Sequence, residues 1–170
     1  TFRTPIYAVG RTDSKGVLNG NLVLVGKGDL TLGGRLTPDN KIAFTSFDHI
    51  YAGIDCYKGE ILTPQDPLWG IKSLAKQVKA SGIKAIHGNV LVDNRLFETI
   101  APRGNTLSPV MVNENLVDME VMPTQVGKSA LLRWRPQVSQ LQVVNHVLTS
   151  APGEKPVINV TANACDSQIV

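Results

Sequence analysis

One segment constrains this chain more than any other. "DPLWGIKSLAKQVKASG", residues 66–82, has the length, spacing and punctuation of an α-helix, whereas the rest consists of short apolar runs between turn residues. Asp66 can cap its N-terminus. Pro67 suits a first helical position, where its missing N–H forfeits no helical hydrogen bond, and Gly82 stands where a left-handed residue ends a helix. The spacing predicts one amphipathic helix over about residues 67–81. Leu68, Ile71, Leu74, Ala75 and Val78 share one face at about 100° per residue.

The remaining signals are strand-like. Within "GVLNGNLVLVGKGDLTLGG" (16–34), the run from Leu22 to Val25 is short, apolar and bounded by glycines, as a buried strand would be. The glycines at 26, 28, 33 and 34 then punctuate a turn and a second short strand. Residues 38–66 have weak periodicity and read as a long excursion with one short strand near Ile42 to Phe44. "IKAIHGNVLVDNRLF" alternates Val90 and Val92 against Leu91 and Asp93, a strand leaving the helix. Beyond the loop at 101–109 come four strand-like stretches, "PVMVNENLVDMEVMP", "ALLRWRP", "LQVVNHVLT" and "PVINVTAN". The expected class is α+β, mostly antiparallel strands with one main helix. Two subdomains are expected, mixed α/β over 1–100 and strand-rich over 101–170, unless the two run together as one continuous domain.

Composition narrows the function classes. With 42% hydrophobic and 18% charged residues the chain is globular in character. Seventeen basic against fourteen acidic residues give +3, without a basic block or aromatic-basic interleaving, so nucleic acid is not an expected partner. No apolar run reaches the roughly 18 residues of a membrane span. The opening "TFRTPIYAVG" lacks an initiator Met and a charged-then-apolar leader, and reads as an excised or processed piece. The two cysteines, Cys56 and Cys165, form no CxxC. They are either unrelated buried thiols or, in an oxidising compartment, a disulfide whose loop closure would contribute at most about 4–5 kcal/mol.

The helix also carries Ser-x-x-Lys twice, Ser73 to Lys76 and Ser81 to Lys84. In penicillin-interacting serine enzymes that spacing supplies a nucleophile and its activating lysine. On the helical wheel Ser73 lies about 160° and Lys76 about 140° from the centre of the apolar stripe, so both are expected to face water. A lysine acting as base must shed its proton near neutral pH, which takes burial or cationic neighbours. Ser81 and Lys84 are separated by the helix stop at Gly82. The partner elements Ser-x-Asn and Lys-Thr-Gly occur nowhere in the sequence. No catalytic residue is therefore assigned.

Other motifs are weaker. His49, His87 and His146 lack ligand spacing, so no metal site is expected. "GKGD" at 26–29 matches neither phosphate-binding glycine pattern and reads as turn chemistry. "GKS" at 127–129 resembles a phosphate loop, but its upstream glycine position holds Met122. Asn159-Val160-Thr161 matches a glycosylation sequon that matters only in a eukaryotic secretory setting. No cofactor is implied.

Several phrases together resemble a known family. "TFRTPIY", "LNGNLVLVGKGDLTLGGR", "ILTPQDPLWGIKSLAKQVKASGIKAIHGNVLVDNRLF" and "PVMVNENLV" resemble the D-alanyl-D-alanine carboxypeptidase/endopeptidases, the type-4, class C low-molecular-mass penicillin-binding proteins. The features carrying the likeness are Phe2, Thr4, Gly20, Gly26, Gly28, Asp29, Gly82, Gly88, Asp93, Phe97, Asn113 and Asn115, over most of residues 2–123. In that family the nucleophilic Ser-x-x-Lys lies upstream of such a stretch, and Ser-x-Asn and Lys-Thr-Gly lie downstream. The resemblance thus implies accessory domains inserted in a transpeptidase-like parent, carrying none of its catalytic residues. It also implies a periplasmic or cell-envelope location. The expected partners are the catalytic domain of the same parent chain and, beyond it, peptidoglycan or cell-wall proteins.

Overall fold

The chain begins with an antiparallel hairpin, β1 (Ile6–Thr12) and β2 (Val17–Val25), paired from Ile6 with Leu24 to Thr12 with Leu18. The computed structural model describes residues 3–39, 41, 64–102, 106–155, 157–163 and 168–170. The hairpin turn follows from local chemistry. Asp13 Oδ1 accepts hydrogen bonds from the amides of Lys15 and Val17, both at 2.9 Å, and Gly16 supplies a left-handed φ of +84°. The predicted strand at Leu22 to Val25 is the second half of this longer β2.

The helix α1 spans Trp69–Ala80. It starts two residues later than the sequence predicts because Asp66 and Pro67 form a turn ahead of it. Asp66 Oδ1 accepts from the Leu68 amide at 2.9 Å, and its carboxylate also takes the Lys72 ammonium at 2.5 Å. Those bonds hold its pKa below the ordinary carboxylate range, the Lys72 hydrogen bond contributing most. At the other end Ser81 Oγ donates to the Val78 carbonyl at 2.7 Å, and Gly82 turns left-handed at φ +94°, as its position predicts.

After α1 the chain returns to β2. Strands β3 (Ala85–His87) and β4 (Val90–Asp93) both run parallel to β2 along one edge, pairing Val17 with Ala85 through Asn19 with His87, and Leu22 with Val90 through Val25 with Asp93. A parallel partner requires a long crossover, which the helix-bearing segment supplies. β3 and β4 keep one register, interrupted at Gly88 and Asn89, where Asn21 Oδ1 accepts from the Asn89 amide at 2.8 Å. Glycines occupy the middle of this sheet. Gly10 and Gly20 face each other across β1 and β2, and an ideal Cβ on Gly88 would lie 2.1 Å from the Gly20 carbonyl oxygen. No side chain fits in that row.

One face of the sheet meets the helix. Leu18, Leu22 and Ile83 form the buried centre, with Ile6, Val78 and Ile86 packed against it. Within α1 the fully buried residue is Gly70, and Ile71 and Ala75 are exposed. The packed face is thus rotated by about 60° from the predicted apolar stripe, toward Gly70, Leu74 and Val78. The cause is backbone contact: an ideal Cβ on Gly70 would sit 1.6 Å from the Leu32 carbonyl oxygen, so only glycine lets the helix seat here.

A second cluster gathers where residues 26–35 meet 106–116. The Gly28 amide donates to the Pro109 carbonyl at 2.9 Å, Asp29 bridges Val110, and Leu32 and Met111 are buried. The stretch "PVMVNENL" is therefore not the strand that its valines predict. It is committed to this loop packing, and strand structure resumes only at Asp118.

The described residues divide into two compact units, one within Thr1–Ala43 and Gln65–Leu116 and the other within Val117–Val170. The second contains the hairpin β5 (Asp118–Met122) and β6 (Leu131–Arg135), and a small sheet in the order β7 (Gln142–Val143), β9 (Gln168–Ile169), β8 (Ala162–Asn163). One helix with several mostly antiparallel strands makes the fold α+β, as expected. Asp118 and Arg135 are cross-strand partners, and Arg135 Nε donates to Asp118 Oδ2 at 2.8 Å with side-chain exposures of only 13% and 7%. The strand expected near Ile42 to Phe44 lies outside the described residues.

Two substitutions test this packing by urea unfolding. Gly70→Ala improves helix propensity by about 1 kcal/mol but forces a backbone clash of about 1–3 kcal/mol; a net loss is expected, and a more stable variant would contradict the account. Arg135→Met removes a buried charged partner of the Asp118 carboxylate and should destabilise by up to about 3–5 kcal/mol, against much less for an apolar pair at both positions.

Candidate functional site

Neither Ser-x-x-Lys pair is assembled. Ser73 is half-buried rather than water-facing, because the helix seats on Gly70, and its hydroxyl accepts a hydrogen bond from Gln77 Nε2 at 3.4 Å. Lys76 is exposed, as the helical wheel predicts. Ser81 spends its hydroxyl proton on the Val78 carbonyl, and Lys84 lies beyond the left-handed Gly82, where its amide donates to the Gly16 carbonyl at 2.8 Å. A nucleophile needs a base within hydrogen-bond reach and a third group to orient that base. These serines have their hydrogen bonds along their own helix.

The other sequence motifs are absorbed by local structure. In "GKGD" the amides of Gly26 and Gly28 donate to the carbonyls of Asp93 and Pro109 at 2.8 and 2.9 Å, so they do not point at an anion. Asp29 Oδ1 accepts from the Thr31 amide at 3.1 Å and hydroxyl at 3.2 Å, a side-chain-closed turn of the kind expected. In "GKS" the Lys128 amide donates to the Gln125 carbonyl at 2.9 Å, within the connection between β5 and β6. His87 is exposed on β3 opposite Asn19, and His146 is exposed in the second unit. His49 lies outside the described residues, as do Cys56 and Cys165 of the candidate disulfide.

The first unit holds a shallow pocket of about 230 Å³ lined by Val25, Gly26, Lys27, Asp93, Arg95 and Leu96. Its carboxylate is already engaged. Arg95 Nε and Nη2 donate to the two Asp93 oxygens, each at 2.8 Å, and this pairing lowers the Asp93 carboxyl to about 2. The pocket is below the few hundred Å³ typical of sites that enclose a ligand. It offers a salt-bridged rim, with no free acid or base pair.

Backbone strain is concentrated elsewhere. Asn113, Glu114 and Asn115 are three consecutive left-handed residues, at φ +52°, +56° and +59°, and Leu32 is left-handed at +45°. These positions adjoin, since the Glu114 amide donates to the Leu30 carbonyl at 2.9 Å. The turn is held by side-chain amides: Asn113 Nδ2 donates to the Leu116 carbonyl and Asn115 Nδ2 to the Thr106 carbonyl, each at 2.9 Å. Non-glycine residues in this region each cost on the order of 1–3 kcal/mol and persist where surrounding contacts over-determine them. The sequence signal was the paired asparagines, which tolerate left-handed backbone, and the flanking valines masked it.

Glu114 separates strain from side-chain loss. Glu114→Val should destabilise by about 1–2 kcal/mol and Glu114→Gly by less, although both remove the same side chain. Thermal unfolding in the reverse order would contradict a strained turn.

Comparison with known proteins adds what the geometry leaves open. No curated protein matches the chain. The model of the D-Ala-D-Ala carboxypeptidase 3 (S13) family matches residues 1–168, which spans the hairpin, the glycine row, the helix and the left-handed turn alike. The chain therefore belongs to the D-Ala-D-Ala carboxypeptidase 3 (S13) family, a family of peptidoglycan hydrolases of the cell wall.

Proposed function

We propose that these residues are a non-catalytic accessory region of a serine-type D-Ala-D-Ala carboxypeptidase/endopeptidase acting on peptidoglycan in the periplasm or cell envelope. The observation that carries this reading is the state of the two Ser-x-x-Lys pairs. Each serine is hydrogen-bonded within the helix or its cap, and neither is joined to its lysine. The reaction of such an enzyme, acyl transfer to a serine followed by hydrolysis, would then belong to a transpeptidase-like domain of the same parent.

The surface of the first unit supports a partner of that kind. Val90 and Val92 on the edge strand β4 continue the sheet face that carries Leu22 and Leu24, yet they are 64% and 55% exposed. On the opposite face Tyr7, Val9 and Leu91 are also open to solvent. Apolar side chains on both faces of a sheet edge favour cover by another domain. The accessory region would support the catalytic domain and shape access to its cleft.

Labelling with a fluorescent penicillin tests the division of labour. The full-length parent is expected to label and this chain is expected not to. If this chain labels and Ser73→Ala abolishes the label, the catalytic serine is here and the accessory reading fails.

A further inference from the structure

The helix α1 and its exit carry four lysines, of which the first, Lys72, is paired with an acid at the helix start. From Pro67 to Val92 the sequence holds Lys72, Lys76, Lys79 and Lys84 and no acidic residue. The whole chain is only +3, so these four lysines exceed its net charge and leave the remaining residues at −1. Lys72, Lys76 and Lys79 stand at i, i+4 and i+7, one above another along about 10 Å of helix, and all are exposed. Asp66 pairs with Lys72. Among the described residues Lys76, Lys79 and Lys84 join no ion pair.

Solvation alone is a poor account of this face. Exposed helices ordinarily interleave acids with lysines, which gains attraction at i+4 and avoids like-charge repulsion. Here Lys76 faces Lys72 on one side and Lys79 on the other. The helix dipole favours Lys79, in the last turn, but that effect fades within one turn and does not reach Lys72.

We infer that the lysine face of α1 docks on the carboxylate-bearing peptides of the peptidoglycan polymer. This inference rests on the family reading above. A carboxypeptidase's substrate ends in a carboxylate before and after each cleavage, so the polymer stays polyanionic throughout and complements a surface of one sign. Such a contact is electrostatic and non-stoichiometric: it concentrates the enzyme on its substrate and steers approach without recognising one bond.

Co-sedimentation of the 170-residue chain with purified sacculi tests the inference. Wild-type protein is expected to bind, and to bind less as salt rises from about 50 to about 200 mM and the Debye length shortens. Each lysine on an anionic surface contributes about a fivefold factor, so Lys76→Glu/Lys79→Glu should weaken binding by at least about tenfold. Both side chains are exposed, and Lys76→Gln/Lys79→Gln, which keeps helix propensity, should weaken it in the same direction if the Glu variant misfolds. Sacculi whose carboxyls have been amidated should bind little. The inference is overturned if wild-type chain does not sediment, if the variants or the amidated sacculi bind as wild type, or if phosphatidylglycerol vesicles bind more tightly than sacculi. None of these outcomes bears on penicillin labelling, which tests the accessory reading separately.

Discussion

Strand β2 is the element on which the first unit depends, because both of its edges are used. β1 occupies one edge antiparallel, β3 and β4 the other in parallel, and its side chains Leu18 and Leu22 form the centre of the core. The glycine row makes this possible. Gly10, Gly20 and Gly88 lie side by side where three backbones approach too closely for a Cβ, so the sheet can crimp without a void or a clash. Remove that allowance and neither neighbour of β2 can keep its register, after which the helix has no face to cover.

The helix shows how backbone contact overrides hydrophobic pattern. Its existence and its end at Gly82 were readable from caps and spacing, since those are local signals; the N-cap is Leu68, which has no side-chain cap, and Asp66 instead closes the turn ahead of it. Which face it buries was not. That is decided by Gly70 meeting the Leu32 carbonyl, a contact between residues 38 apart in sequence that no periodicity encodes. Ser73 becomes half-buried as a result. Lys76, on the far side of the rotation, stays in water under either arrangement.

The loop segments divide along similar lines. The turn at Asp13 to Gly16 and the Asp29 turn both follow from short-range hydrogen bonds, but only the second was read from the sequence as turn chemistry. "PVMVNENL" was not, because its apolar residues answer to partners at 26–32 rather than to a strand neighbour. The parallel pairing of β3 and β4 was also invisible: a sequence shows that two strands exist, while direction depends on where the helix lands. In the second unit the charged pair Asp118 and Arg135 sits in β-strands whose pattern announces half-burial, but only the register shows that the two side chains meet.

The parallel edge has a consequence for how the chain reaches this fold. β1 and β2 are joined by a four-residue turn and can pair within microseconds of being free to move. The other edge of β2 waits for residues 68 positions further on, as Asn21 waits for Asn89. During synthesis at about 5–20 residues per second, that edge stays unpaired for several seconds, with Leu18 and Leu22 uncovered. Non-local parallel pairing is the slow step that topology imposes. The interval before α1 and β4 arrive is therefore the period in which this sheet is most open to pairing with another chain, and a chaperone acting on it would find its target in the lone hairpin.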